Sequence, residues 1–409
     1  MSAVVVTGQQ IGLLGGPLYA TYKVLGAVCY AEEIGGRAVY WLETNDADFN
    51  EINHIDYIGA DGHLKKLTWD ILSGGLSCGL IPVDEPLVVL LNTFFDTIRQ
   101  TPHTGDLRAL VLNCYRPGRT LGEASRLLAA QLFGRLGVTL FDPSAKEFRE
   151  FSRPMLMREA ERTPPGAQCN LFCMMGDKRK AVFRDDKGFR LRDGSAVDLE
   201  DCELVPNVRT RNVVQDAYFG TDTYIAGPSE VEYIAELDPV YSCHGVQKAE
   251  VKKRMSAMLV EPRVKRLLDK TGLTLQQVRE TERDILLRQV LAMQSGVDIK
   301  ALGEREEELT ADYLGELEAL GLDRGAIGNA LTKAIKADIG KRRAEGKNKN
   351  KDKLDQAGEL SDRLRPHGQE QERVFNVFYY MNLYGGLSFI DWLYEQYDFE
   401  KEIIEIHNG

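Results

Sequence analysis

Two short segments carry the residue types that could do chemistry. The first runs from Thr7 to Tyr19 (TGQQIGLLGGPLY) and joins a β-branched run to a glycine-rich stretch and then to a helix start. Gly8, Gly15 and Gly16 would let the backbone approach a ligand closely, and free amides at a helix start attract anions. Gln9 and Gln10 each offer a donor and an acceptor, suited to an amide, a hydroxyl or a carboxylate. No Gly-Lys-Ser/Thr follows, which excludes a Walker loop, and the glycine spacing differs from the dinucleotide fingerprint. On residue types alone, a ligand cradle and a merely tight turn stand as equal readings. The second segment, Trp41 to His54 (WLETNDADFNEINH), sets Asn45, Asp46 and Asp48 behind a strand-like run. Carboxylates there could bind an amine, orient a metal or take a proton. They could also cap a helix, and the two roles are compatible. Cys169 and Cys173 in CNLFC, with His244 far along the chain, could ligate zinc. They lack the two-residue gaps that make zinc motifs specific, so half-buried thiols are the preferred reading and no metal site is expected.

A parallel sheet would bring the first two segments together. Val4-Val5-Val6 reads as a buried strand ended by Thr7-Gly8. Pro17 opens a helix over about Leu18 to Glu33, which Gly35-Gly36 ends, and Ala38 to Leu42 supplies a second strand. That order is a right-handed βαβ unit, and ligands collect beyond the carboxyl ends of such strands. Leu121 to Leu136 has helical spacing and leads into the strand-like Val138 to Phe141. Between Asn170 and Leu204, alternation around Ala181–Phe183 and Phe189–Leu191 with Asp-Gly turns predicts a small antiparallel insertion. Tyr224 to Ala226, before Gly227-Pro228, returns to the main sheet. Beyond Lys248 the composition turns to Leu, Met, Arg and Glu, with breaks at Gly272, Ser295-Gly296 and Gly321. Leu286, Leu287, Val290 and Leu291 recur at helical spacing, and two such helices folding back would form an antiparallel coiled coil. Gly346 to Lys353 (GKNKNKDK) reads as an exposed loop between helices. The aromatic-rich stretch from Val374 to Tyr397 should pack back on the body.

Bulk properties bound the function classes. With 43% hydrophobic and 28% charged residues the chain is of the ordinary globular type. Lys and Arg total 51 against 62 Asp and Glu, a net charge of −11. Such a protein lacks the field that attracts phosphate backbones, so no nucleic-acid partner is expected, although a local basic pocket for a small anion is compatible. The opening MSAVVVTG has no basic n-region and reads as a strand rather than a signal peptide. No stretch approaches about 18 apolar residues, so no membrane span is expected. Seven scattered cysteines favour reduced thiols and a cytoplasmic location.

Five segments together resemble a known family. TGQQIGLLGGPLYATYK is similar to the opening signature of the bacillithiol cysteine-adding ligases. AVYWLETNDADFNEINHI resembles that family's next motif, an aromatic-rich strand before an acidic Glu-Asp-His-Asp-Phe loop. PNVRTRNVVQD (Pro206 to Asp216), YIAGPSEVEYIAEL (Tyr224 to Leu237) and RPHGQEQERVFNVFYYMNLYG follow in the family's order. The resemblance implies an α/β fold, a Rossmann-like parallel-sheet core resembling class I aminoacyl-tRNA synthetases, with a small connecting insertion and a helical coiled-coil region. It implies core parts at residues 1–165 and 206–247, the insertion at 166–205, the helical region at 248–365 and a terminal segment at 366–409 packing on the core. It further implies a homodimer and a reaction joining the carboxyl of cysteine to the amine of glucosaminyl malate, with carboxyl activation by ATP and magnesium expected by analogy.

The resemblance also assigns roles. Thr7, Gly8, Gly15, Gly16 and Lys23 would hold the nucleotide, with Lys23 meeting an anion or only snorkelling. Asp46, Asp48 and Gln9 would be catalytic. Gln10, Tyr19, Trp41, Asn45, Gly227 and Glu230 would bind substrates, and Arg211 would clamp malate carboxylates in bidentate fashion. For Arg254, near a family Arg-x-Ser pattern with Ser256, and for Arg373, a structural ion pair is the preferred reading. Some positions depart from the pattern. Six residues precede Thr7 where the family has a longer stretch, and Asn212 and Ser229 replace Pro and Gly. Ala47 stands where the motif commonly has His, the side chain best suited to proton transfer near neutral pH. A ligase making a different conjugate, or a non-catalytic dimeric binding protein retaining the fold, are the alternative expectations.

Overall fold

The computed structural model describes residues 2–295, 299–321 and 325–407. The chain forms two units, one of Met1–Leu259 with Gln371–Ile404, the other of Val260–Glu370 with Glu405–His407.

The first unit contains strands β1 (Val4–Gln10), β2 (Arg37–Glu43), β3 (His54–Ile58), β4 (Leu64–Thr68), β5 (Thr139–Phe141), β6 (Gln168–Met175), β7 (Lys178–Asp185), β8 (Gly188–Leu191), β9 (Glu203–Pro206), β10 (Thr223–Ala226) and β11 (Glu250–Lys253). Its helices are α1 (Leu18–Glu33), α2 (Glu85–Thr97), α3 (Thr104–Cys114), α4 (Leu121–Phe133), α5 (Lys146–Arg162), α6 (Val208–Phe219), α7 (Pro228–Ala235) and α8 (Asp238–His244). Five strands make a parallel sheet in the order β11-β10-β1-β2-β5. β1 is central, and Val4, Val5 and Val6 are buried, as a strand covered on both faces requires. α1 is buried along most of its length, which suits its near-continuous apolar sequence. Trp41, Phe148, Leu156, Cys169, Leu171 and Val182 form one core cluster, and Val6, Val39, Val213, Tyr224 and Ile234 belong to another.

β6 to β9 form an antiparallel sheet ordered β8-β7-β6-β9, and β3 and β4 form a hairpin. This is the expected fold class, a Rossmann-like parallel core with a small insertion and a helical region. One detail differs from expectation. Gly8, Gln9 and Gln10 lie in β1 rather than in a loop, because the pairing with β2 continues through Gly8–Trp41, Gln9–Leu42 and Gln10–Glu43. Only Ile11 to Pro17 remain as the connection to α1.

The second unit is helical, with α9 (Pro262–Thr271), α10 (Leu275–Glu280), α11 (Arg283–Ser295), α12 (Ile299–Ala319), α13 (Gly325–Lys349) and α14 (Lys351–Leu364). Gly303 lies against Ile339 and Gly328 against Leu314, so α12 and α13 run antiparallel. Within this unit Arg363 bonds both Glu261 and Glu359, and Arg263 bonds Glu359 again. The loop expected over Gly346 to Lys353 is helical instead. Asn350 and Leu354 continue the backbone ladder to Gly346 and Asn350, and lysine is a good helix former. The break expected at Gly296 lies outside the described residues.

In the first unit, α15 (Gln371–Val374), α16 (Val377–Tyr384) and α17 (Ser388–Glu395) complete the chain's helices among the described residues. Phe375, Phe378, Tyr380 and Phe389 are buried there, and the Phe375 carbonyl accepts the Leu18 amide at 2.7 Å.

Candidate active site

β1 leads through α1 to β2 on one side, whereas β10 leads through α7 and α8 to β11 on the other. Adjacent strands that send the chain in opposite directions leave a crevice beyond their carboxyl ends. A cavity of about 620 Å³ lies there, wholly within the first unit. Gly8, Gln9 and Gln10 line it from β1, Glu43 from β2, Gly227 and Glu230 from the start of α7, and Arg254 from just beyond β11. Tyr19, Lys23, Asp46, Phe172, Arg179, Arg211 and Arg373 also face it.

Arg211 reaches the cavity because of how α6 begins. The Asn207 side chain accepts the amides of Arg209 and Thr210, and the Thr210 hydroxyl accepts the Asn207 amide. This reciprocal cap fixes the first turn, on which Arg211 sits. Its guanidinium donates to Gln215 Oε1 at 3.1 Å and to the Tyr224 hydroxyl at 2.8 Å. It also lies 5.7 Å from the Trp41 ring centroid and 5.5 Å from that of Tyr224. Glycine at position 8 makes room for it, since a Cβ there would stand 2.7 Å from Arg211 Nη1.

The buried Lys23 pairs with the partly buried Glu230 at 2.5 Å. Lys23 Nζ also donates to the Gly8 carbonyl and to Gln9 Oε1. All three ammonium hydrogens are therefore directed at protein oxygens, so that Lys23, expected on a nucleotide anion, lines the cavity as an internal clamp. Glu230 accepts in turn from Lys23, from the Gly227 amide at 2.7 Å and from the Tyr224 hydroxyl at 2.9 Å. Burial pushes its carboxyl up, but Lys23, Arg211 and the Gly227 amide outweigh that and hold it below the usual range. Burial lowers the Lys23 ammonium despite its partner. Gln9 is held between Lys23 and the Tyr19 hydroxyl, and Gln10 donates to the Asp48 carbonyl.

Asp46 turns the chain and faces the cavity at once. Its Oδ1 accepts the amides of Ala47 and Asp48 and the Arg179 guanidinium at 2.8 Å. Oδ2 has no hydrogen-bond partner among the described residues. Arg179 arrives from β7 and stacks 4.3 Å from the Phe172 ring centroid, so the antiparallel insertion supplies one wall. Glu43 ends β2, where its oxygens accept the Trp41 indole and the Asn45 amide. Burial is the largest influence on its carboxyl and pushes it up, against the pull of Arg211.

Several expected site residues lie elsewhere. Thr7 is buried with its hydroxyl on the Ile225 carbonyl. Trp41 packs against Phe141 and Phe148 beneath the cavity, so it holds Arg211 rather than a substrate. Gly15 and Gly16 shape the turn into α1 with φ of 83° and 77°, and neither lines the cavity. Asn45 is buried and Asp48 is exposed, and neither lines the cavity. Cys169 and Cys173 sit in the core, where burial raises both thiols, and His244 pairs with Glu159 at 3.1 Å.

Sequence reasoning missed Glu43, Arg179 and Phe172. Glu43 lies two residues beyond Trp41, on the same face of β2, and so was legible as a strand end. Nothing local pointed to Arg179. Arg254 does form the expected ion pair, at 2.7 Å to Glu372, yet its buried Nε has no partner and it stands beside Gly227. Arg373, expected in an ion pair, has no carboxylate partner among the described residues.

A pH test follows from Glu43. A carboxyl raised in the folded state contributes stability below its unfolded pKa, and that contribution is lost as pH rises through the folded value. Glu43→Gln should therefore gain stability relative to the parent as pH rises above the ordinary value of 4.5. Urea midpoints at about pH 4 and about pH 8 read this, and a difference independent of pH would refute it.

Comparison with known proteins adds the following. The family model described as bacillithiol biosynthesis BshC, N-terminal Rossmann-like domain, matches residues 1–168 and 164–255. The model of the BshC C-terminal coiled-coil domain matches residues 257–406. A relative from Chlorobaculum tepidum named "Putative cysteine ligase BshC" is 29% identical, with 93% of this chain and 78% of the relative covered. One of the same name from Salinibacter ruber is 28% identical, with 94% and 79% covered. A solved glutamate tRNA ligase from Elizabethkingia meningosepticum superposes on 67% of this chain and 54% of its own at 15% identity, with a TM-score of 0.24. That superposition is too loose to establish a shared fold. Among the described residues, no helix is long and apolar enough to cross a membrane.

Proposed function

The chain belongs to the bacillithiol biosynthesis BshC family, and from that premise we propose that it is a carbon–nitrogen bond-forming ligase adding cysteine to the amine of glucosaminyl malate. The observation that supports this most is the charge layout of this cavity. Asp46 offers a carboxylate oxygen with no hydrogen-bond partner among the described residues, and Arg211 offers a held guanidinium, in one space beyond the parallel strands. An ammonium suits the first and a carboxylate of malate the second.

Joining a free carboxylate to an amine requires a leaving group, which ATP with magnesium would supply when bound. The donor set fits such an anion. Arg254 has a buried Nε without a partner, and Arg373 stands at the rim with no carboxylate partner among the described residues. These two would hold phosphates, while magnesium, carried on the nucleotide, needs few protein ligands. Asp46 Oδ2 would orient the attacking amine and accept its proton. Gln9, held by Lys23 and Tyr19, would present a fixed amide to the cysteine. A homodimer belongs to the same proposal, since α12 leaves Leu309 and Tyr313 exposed on a helical region matched by a coiled-coil family model. Sedimentation of the purified protein tests it.

The purified protein, incubated with cysteine and glucosaminyl malate with and without ATP and magnesium, should yield the coupled thiol by mass spectrometry only when ATP is present. Consumption of ATP with another amino acid instead would redirect the substrate. Asp46→Ala and Gln9→Ala should each lower turnover by about 100-fold or more while leaving the thermal transition in place. Unchanged turnover would remove both residues from the site.

A further inference from the structure

The hydrogen bonds that hold Arg211 continue away from the cavity. Gln215 Oε1 accepts from Arg211, and Gln215 Nε2 donates to Asp216 Oδ1 at 3.1 Å. Asp216 Oδ2 accepts the Tyr241 hydroxyl at 2.5 Å and the Ala249 amide at 3.2 Å. Gln215 is fully buried and Asp216 nearly so. Arg211 and Gln215 stand four residues apart on α6, hence on one face. The Gln215 amide has one satisfactory orientation. Turned over, it would set its NH2 against the guanidinium and its carbonyl against the carboxylate.

We propose that Gln215 and Asp216 are positioning residues that orient the Arg211 guanidinium toward a substrate carboxylate in the cavity. The identity of that carboxylate, a malate group, rests on the ligase reading. Asp216 is pinned from α8 and from the segment leading into β11, so it forms a fixed base. Gln215 transmits that base to Nη1, the Tyr224 hydroxyl fixes Nη2, and the guanidinium carbon lies 5.7 Å from the Trp41 ring centroid and 5.5 Å from that of Tyr224. Glu230 Oε1 stands 3.9 Å from Nη2 and Tyr233 also bonds the guanidinium, yet a guanidinium has five N–H donors and so keeps some for a ligand. The mobile part of an arginine clamp is thereby ordered before binding, which lowers the entropy lost on association.

Two readouts test this, one without any ligand. The Arg211 guanidinium protons, assigned by comparison with Arg211→Lys, should give separate NMR resonances in the parent protein because rotation is restrained. In Gln215→Met they should merge. Glucosaminyl malate binding, measured by calorimetry, should weaken about tenfold in Gln215→Met and show no further loss when Arg211→Lys is already present. The Michaelis constant for cysteine should stay unchanged. Asp216→Asn, which keeps the shape, should reproduce the merging with a smaller loss of affinity. Resonances that stay separate in both variants, or an equal loss of affinity in the Arg211→Lys background, would overturn the proposal. Failure of the parent protein to bind glucosaminyl malate would count against the ligase reading, while the resonances would still decide the positioning.

Discussion

Lys23→Met is expected to destabilise the protein by about 3 kcal/mol, the lower end of the cost of breaking a buried ion pair. Methionine matches the length of the stem but leaves Glu230 without its main counter-charge. The Lys23 side chain is 2% exposed and that of Glu230 is 21% exposed, so some water reaches the carboxylate and moderates the loss. The Tyr224 hydroxyl and the Gly227 amide remain to bond it. The acid dependence should change as well. A carboxyl held low in the folded state contributes stability above its unfolded pKa, and that contribution is lost as pH falls through the folded value. Lys23 is a leading cause of the lowering at Glu230. The parent should therefore lose stability on acidification below the ordinary value of 4.5, and Lys23→Met should lose less of it. Urea unfolding across that range measures both effects. Equal acid sensitivity in the two proteins would mean that the pair does not govern Glu230.

Gly8→Ala should lower kcat/KM for ligation by about 100-fold, the scale expected when a reacting partner is misplaced by about 1 Å. The new methyl would stand 2.7 Å from Arg211 Nη1, with the Tyr224 hydroxyl at 3.4 Å. The guanidinium is the more mobile of the two and must give way, weakening its bonds to Gln215 and Tyr224. Gly8 keeps a backbone that alanine can adopt, so secondary structure should survive. Circular dichroism together with steady-state kinetics distinguishes the outcomes. A folded variant with activity within about threefold of the parent would show that Arg211 need not sit where it does.

Much of the scaffold was legible from local pattern. The valine run of β1, the helix opened by Pro17 and the strand before Asn45 announced a βαβ unit, and that unit carries the cavity. Gln9, Gln10, Tyr19, Asp46, Arg211, Gly227 and Glu230 were all named from sequence, and the structure brings them to one cavity. The family resemblance drew in Arg211 and Glu230, which no spacing rule connects to Gly8. The residues that went astray did so for identifiable reasons. Thr7 was grouped with Gly8 although alternation along a strand sends neighbouring side chains to opposite faces. Trp41 shares its face of β2 with Glu43, but Phe141, Phe148 and Arg211 cover it, which no strand alternation announces. Lys23 reads as a lone cation on a helix until its three acceptors are counted. The Lys-Arg-Lys run at Lys178 to Lys180 looks like a solvated edge, yet sheet pairing in the insertion carries Arg179 to Asp46.

The ordered motifs from Thr7 to Gly385 and the periodicity of their apolar residues determined the family resemblance, the parallel core and the helical region, because those depend on neighbours a few residues apart. Which of the two opening segments' residues face the cavity was decided only by tertiary structure. The first of them, the glycine and glutamine run, proved to be a strand end, and its Gly8 serves a side chain more than two hundred residues away. Hydrogen-bond partners of buried charges are chosen by packing between distant elements. Lys23 met Glu230 and Arg254 met Glu372 because a low-dielectric interior penalises an unpaired charge, wherever in the chain its partner lies.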